Sequence, residues 1–298
     1  MPSLKSLLGP MRVPFLLLTP ACVALGVATA YWQTGHLSGG QVVLVLIAAL
    51  AAHIAVNALN EYVDYKTGLD LRTQRTPFSG GSGTLPQQPN LAPAALRIGL
   101  ISLAVLSLIG VYFVALRGWQ LALIGVLGVL VIVTYTPLIT RVPALCLIAP
   151  GLGFGPLMVI GTHLALGGSL SAAVVVASLV PFFLVNNLLL LNQFPDVEAD
   201  RSVGRHHYPI ALGRRRSAVI YALFLGLAYL AVVAGVVGGV LPATSLLGLL
   251  AAVLLPPVIR GVLRYADDLP HLMPYLGLNV LLNLVTPVLV ALGFFLAV

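Results

Sequence analysis

Residues 41–70 read QVVLVLIAALAAHIAVNALNEYVDYKTGLD. Val42 to Ala52 contains no polar side chain, and the run stays mostly apolar to about residue 61, enough to cross a bilayer at about 20 residues per span. The apolar residues do not alternate with a period of two, so this is a helix and not a barrel strand. Its end is acidic. Asn57, Asn60 and Asp64 stand three and four apart, which places them on one helical face. His53 extends that stripe deeper. Gly68 is expected to end the helix in the left-handed conformation, letting Asp70 fold back towards the same site.

Eight further segments resemble this one in apolarity, giving nine spans at roughly 11–32, 41–61, 93–115, 118–137, 143–166, 170–194, 217–240, 243–264 and 272–297. Charged residues make up 8% of the 298 and hydrophobic ones 59%, with mean hydropathy +1.06. A water-soluble domain carries about 25% charged residues, so this surface is built for lipid. No polar stretch is long enough to fold separately. The expectation is an all-α, polytopic membrane protein, one domain over 1–298, with nine helices around a central cavity. Residues 1–32 mimic a secretory signal, but the apolar run leads directly into further spans, so an uncleaved first helix is expected. Cys22 and Cys146 lie inside apolar segments without metal-ligand spacing and read as buried small hydrophobes.

The net charge is +7. With the N-terminus inside, Lys5, Arg12, Lys66, Arg72, Arg75, Arg97, Arg141, Arg201, Arg205, Arg214, Arg215, Arg216, Arg260 and Arg264 all fall on the inner side, and of the 15 basic residues only Arg117 falls outside. That bias places the N-terminus in the cytoplasm and the C-terminus across the membrane. It accounts for the basic pI without a nucleic-acid surface. A prokaryotic inner membrane is the expected location.

Six of the eight acidic residues stand in two short stretches at the inner ends of even-numbered spans. Acidic groups near bilayer depth are costly and mark function. The second stretch is Asn192-Gln193-Phe194-Pro195-Asp196-Val197-Glu198-Ala199-Asp200. Asn192, Asp196 and Asp200 are four apart and would share a face of a helix kinked at Pro195, which frees a backbone carbonyl near the acids. Asn60-Glu61-Tyr62-Val63-Asp64 resembles Asn192-Gln193-Phe194-Pro195-Asp196, four spans later. Spans 1–4 and 5–8 therefore read as an internal repeat, with span 9 added.

Clustered carboxylates repel unless cations lie between them. Carboxylate and amide oxygens suit magnesium, whose sites phosphate oxygens commonly complete. Lys66, Arg72, Arg75, Arg201 and Arg205 follow the two motifs and can hold a diphosphate directly. An apolar bundle with such a mouth suits a lipid with a diphosphate head, and points to ionisation of an allylic diphosphate.

The chain resembles the UbiA superfamily of membrane prenyltransferases, in Asn60, Asp64 and Asp70 and again in Asp196 and Asp200. The resemblance implies nine helices, and binding of diphosphate and two magnesium ions by Asn60, Asp64, Asp70, Asn192, Asp196 and Asp200. Asp64 and Asp196 stand at the centres of the motifs. Tyr135 and Arg141 resemble the family's tyrosine and basic position after the fourth helix. The run Asp64-x-x-x-Gly68-x-Asp70 is most similar to the menaquinone-pathway branch, which prenylates dihydroxynaphthoate. The implied partners are a polyprenyl diphosphate, a small aromatic or quinone-precursor acceptor and membrane lipid. The sequence departs from the family at Glu61, which stands where an Asp is usual, at the Gly-rich run 77–83, and at 204–209. The same fold also serves ether-lipid, haem or tetrapyrrole acceptors, or cyclisation. A transporter also carries repeats and polar residues at bilayer depth, but gives no reason for acid ladders beside arginines.

Four weaker candidates complete the site. His53, Asn57, Asn279 and Asn283 could face an acceptor; Asn279 and Asn283 could instead make interhelical hydrogen bonds, and His53 could instead have a hydrogen-bonded structural role. Residues 77–84 are either a lid over the diphosphate or a connector. His206 and His207 read as loop histidines or phosphate contacts.

Overall fold

The computed structural model describes residues 4–298, with side chains from Ser6 onward, so the Lys5 side chain lies outside the described residues. The described residues contain no strand. In chain order the long helices are α1 (Val13–Thr34), α2 (Gly39–Thr67), α3 (Pro89–Arg117), α4 (Trp119–Thr134), α5 (Pro143–Ala165), α6 (Ala172–Asn192), α7 (Arg214–Val237), α8 (Ala243–Tyr265) and α9 (Leu269–Phe295). All but α4 are long and apolar enough to cross a membrane, and the chain is an integral membrane protein.

Two ends differ from expectation, and proline explains both. The chain leaves α4 after Thr134, giving a helix of 16 residues. Pro137 disfavours helical backbone at the residue before it. In the same way α6 stops at Asn192 and does not run kinked through Pro195. Asp196 instead stands at the position before a separate short helix, Val197–Ser202, which carries Asp200. The second acid motif is thus a helix end, a turn and a new helix, and not one helical face. At the first motif, Gly68 does close α2, at φ 78°.

Exposed apolar side chains such as Leu108, Val111, Val126 and Val253 cover the outside, as lipid contact requires. Inside, small residues let backbones approach. A Cβ on Gly151 of α5 would lie 2.1 Å from the Phe182 carbonyl oxygen of α6. Pro150 and Pro156 remove two backbone donors from α5, and Gly153–Ile160 widens into a π-helix. That widened stretch lines the cavity described below.

Buried amides join α6, α7 and α9. Asn187 Nδ2 donates to the Tyr221 carbonyl at 2.8 Å, and Tyr221 Oη donates to Asn279 Oδ1 at 3.0 Å. Asn283 Nδ2 donates to the Asn279 carbonyl at 2.8 Å. Asn279 thus joins α9 to α7 while Asn283 bonds within α9, and neither lines the cavity described below, which corrects their reading as acceptor contacts.

Candidate active site

One face of α2 lines a cavity of about 390 Å³, from Val45 through Ala49, His53, Asn57 and Asn60 to Asp64. The three-and-four spacing that predicted a polar stripe continues inward as alanine and valine, so one helix supplies both a polar mouth and an apolar depth. The matching faces of α4 and α5 extend that depth, through Gly125, Gly128, Phe154 and Leu157.

The mouth gathers both motifs. Asp64, Asp70, Asn192, Asp196 and Asp200 line it, together with Asn60, Tyr135 and Arg205. Arg205 joins the motifs: Nη2 bonds to Asp64 Oδ1, and Nη1 donates to Asp200 Oδ1 at 2.9 Å. His207 Nε2 meets Asp200 Oδ2 at 2.9 Å. Burial works against the Arg205 charge, but Asp64 and Asp200 outweigh it and hold its pKa above the ordinary range.

Two carboxylate oxygens remain buried without a hydrogen-bond partner, Asp70 Oδ2 and Asp196 Oδ1. Burial, then Glu61 and Asp64, push the Asp70 carboxyl up to about 7. Burial, then Asp200, push Asp196 up to about 7. Orphaned acceptors of this kind, one in each motif, fit a hard cation that takes most of its ligands as oxygen. No group of three or more acidic, histidine or cysteine side chains among the described residues forms a ready-made metal cluster.

The 77–84 segment lies over this mouth. Phe78, Ser79, Gly80 and Gly81 line the cavity. Gly80 N donates to Asp196 Oδ2 at 3.2 Å, and Ser82 N donates to Glu61 Oε1 at 2.6 Å. Gly81 has φ +70°, and a Cβ there would lie 3.0 Å from Asp70 Oδ1. Only glycine gives this backbone both its turn and its approach to the acids.

The other expected cations are placed elsewhere. Lys66, Arg72, Arg75, Arg141 and Arg201 are exposed and do not line the cavity. Arg72 donates to Ser202 Oγ at 3.1 Å, tying the two motif loops together at the surface. Arg201 pairs with exposed Glu198 at 3.4 Å. His206 is exposed, whereas His207 is buried in the site. His53 is bonded through Nδ1 to Thr19 Oγ1 at 2.8 Å and meets the Phe154 ring edge-on.

Arg12 also lines the cavity, a role that its place among the orienting charges does not reveal. It donates from Nε to Glu61 Oε1 at 2.8 Å and from Nη2 to Asn60 Oδ1 at 2.9 Å. The available signal was Glu61 itself, an acid at the end of a span that needs a cation close by.

The UbiA prenyltransferase family matches residues 17–273. A 1,4-dihydroxy-2-naphthoate octaprenyltransferase of Bacillus subtilis (strain 168) is 30% identical over 197 residues, 65% of this chain and 62% of that protein. The chain thus spans under two thirds of that relative. The enzyme of the same description from Escherichia coli (strain K12) is 29% identical over 300 residues, covering 96% of this chain and 94% of that one. A solved structure of a UbiA homolog from Archaeoglobus fulgidus bound to DMAPP and Mg2+ superposes with TM-score 0.61 at 15% identity, over 98% of each chain. Family match and shared helical fold agree, and the chain belongs to the UbiA prenyltransferase family.

Proposed function

We propose that the chain transfers a prenyl group from a polyprenyl diphosphate to an aromatic or quinone-precursor acceptor, with 1,4-dihydroxy-2-naphthoate as the leading acceptor. The observation that carries this reading is the pair of acid motifs joined by Arg205 at the mouth of a long apolar cavity. Val45 and Asp64 both line it, 19 residues apart on α2, which corresponds to about 28 Å of helix. That depth suits a prenyl tail and the mouth suits its diphosphate. The naphthoate acceptor named for the Bacillus and Escherichia relatives supports the choice of acceptor.

Asp70 Oδ2 and Asp196 Oδ1 would hold magnesium, with Asn60, Asp64, Asn192 and Asp200 completing the set around two ions. Magnesium, when bound, supplies positive charge that offsets charge growing on the departing diphosphate. Arg205 and Arg12 line the mouth and add charge-assisted donors for the same oxygens. Ionisation breaks the allylic C–O bond, and its electron pair leaves with the diphosphate. The apolar walls keep water from the resulting cation. Tyr135 lies at the mouth beside the reacting end of the tail. His53 and Asn57 line the cavity about three and two turns deeper than Asp64, in position to orient an acceptor ring whose electron-rich carbon captures the cation. That carbon then loses the group that the prenyl unit replaces, a proton or a carboxylate as carbon dioxide, which restores aromaticity.

The same reading treats residues 1–298 as one domain with nine spans around this cavity, α4 included. Helices α1–α4 and α5–α8 form two repeats, with α9 added. The basic-residue bias supports a cavity mouth and N-terminus on the cytoplasmic side of a prokaryotic inner membrane. Purified protein given one labelled polyprenyl diphosphate and a panel of acceptors tests the assignment. Prenylated naphthoate is the expected product. Product only with an ether-lipid, haem or tetrapyrrole acceptor would replace the naphthoate reading.

A further inference from the structure

Glu61 stands beside two motif residues, yet its surroundings differ from theirs. It is fully buried. Its Oε1 accepts from Arg12 Nε at 2.8 Å and from Ser82 N at 2.6 Å, and its Oε2 accepts from Ser82 Oγ at 2.8 Å. Asp70 and Asp196 each keep an oxygen without a partner, while both Glu61 oxygens are engaged. Oε1 takes a backbone N–H, whereas the Asp200 carboxylate is held only by the side chains of Arg205 and His207. Glu61 and its partners thus join three parts of the chain: the end of α2, the turn before α1 and the 77–84 segment. Arg12 adopts φ 51°, the one non-glycine residue with positive φ among the described residues. A left-handed arginine is held by its surroundings, and here those include the Glu61 carboxylate and Asn60 Oδ1.

We infer that Glu61 is a positioning residue, not a metal ligand: it clips the 77–84 segment to α2 and holds Arg12 at the cavity mouth as a diphosphate donor. The inference rests on the prenyl-transfer reading only for the identity of that diphosphate. The longer side chain at this position has a physical role here. It reaches beyond the motif face to the Ser82 backbone N–H while still bonding Arg12. Ser82 Oγ also accepts from Thr84 N at 3.1 Å, which carries the clip into the next turn. The clip therefore fixes the backbone that brings Gly80 N to Asp196 and Gly81 against Asp70.

The test compares Glu61→Ala, Glu61→Gln and Ser82→Ala with wild type and with Asp196→Asn, in purified, detergent-solubilised full-length protein. Three quantities are measured. The first is Mn2+ binding without substrate. The second is trypsin cleavage after Arg75, which reports release of the neighbouring segment. The third is the KM for a polyprenyl diphosphate against kcat. Glu61→Ala should raise that KM about tenfold or more, the scale of one charge-assisted hydrogen bond, with kcat within about threefold. Its Arg75 cleavage should accelerate at least about fivefold, because three bonds to the segment and Arg12 are lost together. Ser82→Ala should accelerate cleavage less and leave Mn2+ binding unchanged, which keeps the test informative if Glu61→Ala folds poorly. Glu61→Gln should hold the segment better than Glu61→Ala but not restore the KM, since its amide lacks the charge that pairs with Arg12. Loss of Mn2+ binding in Glu61→Gln to the extent seen in Asp196→Asn would overturn the inference by making Glu61 a ligand. Unchanged cleavage in both Glu61→Ala and Ser82→Ala would overturn the clip. If wild type releases no pyrophosphate, the prenyl-transfer reading fails, while the cleavage and Mn2+ results still decide the role of Glu61.

Discussion

Arg205 bonds to Asp64 across 141 residues of sequence, from the loop after the second acid motif to the end of α2. Its other nitrogen holds Asp200, so one guanidinium ties the two motifs together. A planar fork with several fixed donors can do this, and a lysine point charge cannot. Arg205→Ala should therefore slow pyrophosphate release by roughly 10- to 150-fold, the scale of a lost charge-assisted bond. Arg205→Lys should recover only part of that loss. Arg215 pairs with Asp267 on the exposed surface, where an ion pair contributes about 0–1 kcal/mol. Arg215→Ala should stay within about threefold of wild type at matched membrane insertion. Equal losses in Arg205→Ala and Arg215→Ala would mean that these arginines serve orientation alone.

Asp70 and Asp196 are both pushed up to about 7, so each is mostly protonated below that pH. A cation needs the ionised form. Mn2+ affinity should rise between about pH 6 and about pH 8 and then level off. The raised values also mean that the folded, metal-free protein binds more protons than the unfolded chain between about pH 4 and about pH 7. Its stability should fall as pH rises through that window. Asp196→Asn should show a shallower fall in thermal midpoint, and an identical slope would show that Asp196 ionises at its ordinary pH.

Gly81→Ala adds one methyl group at φ +70°, 3.0 Å from Asp70 Oδ1 and 3.1 Å from Glu61 Oε1. Both backbone strain and crowding oppose it. Turnover should fall at least about tenfold while the thermal midpoint of the purified protein changes little, because the strain is confined to the loop over the mouth. A variant with wild-type turnover would mean that this loop does not shape the site.

Gly151→Ala tests the bundle and not the mouth. Its Cβ would meet the Phe182 carbonyl oxygen at 2.1 Å and Asn186 Oδ1 at 2.4 Å. The Gly151 N–H also donates to Asn186 Oδ1 at 2.6 Å. Overpacking of this kind costs about 1–3 kcal/mol, so the thermal midpoint in detergent should drop by several degrees. No change would mean that α5 and α6 shift apart freely.

Hydropathy made the helical membrane class legible, and helical spacing made most of the acid face legible. His53, Asn57, Asn60 and Asp64 do line one cavity, as their three-and-four spacing implies. Gly68 stops α2 and Asp70 folds back into the site. Periodicity tells which residues share a face but not which neighbour that face meets. Asn279 and Asn283 share a face, and tertiary packing directs them to Tyr221 and to their own helix. Nearness in sequence also misled. Lys66, Arg72, Arg75 and Arg201 lie beside the motifs but are exposed and do not line the cavity, while Arg12, 49 residues before Glu61, enters the mouth. Such pairings depend on how helices assemble, which no local pattern encodes. The second motif was misread for a local reason, since Pro195 ends the helix that four-residue spacing seemed to continue.

The most direct test of the central claim is magnesium-dependent pyrophosphate release from a polyprenyl diphosphate, measured in parallel for wild type, Asp64→Asn and Asp196→Asn at matched membrane insertion. Wild type should release pyrophosphate only with magnesium present and form a prenylated naphthoate, while each variant loses turnover by at least about a hundredfold. Near-wild-type release by either variant, or wild-type release that persists after complete chelation of divalent metal, would contradict the assignment of the two acid motifs as the site that ionises the diphosphate.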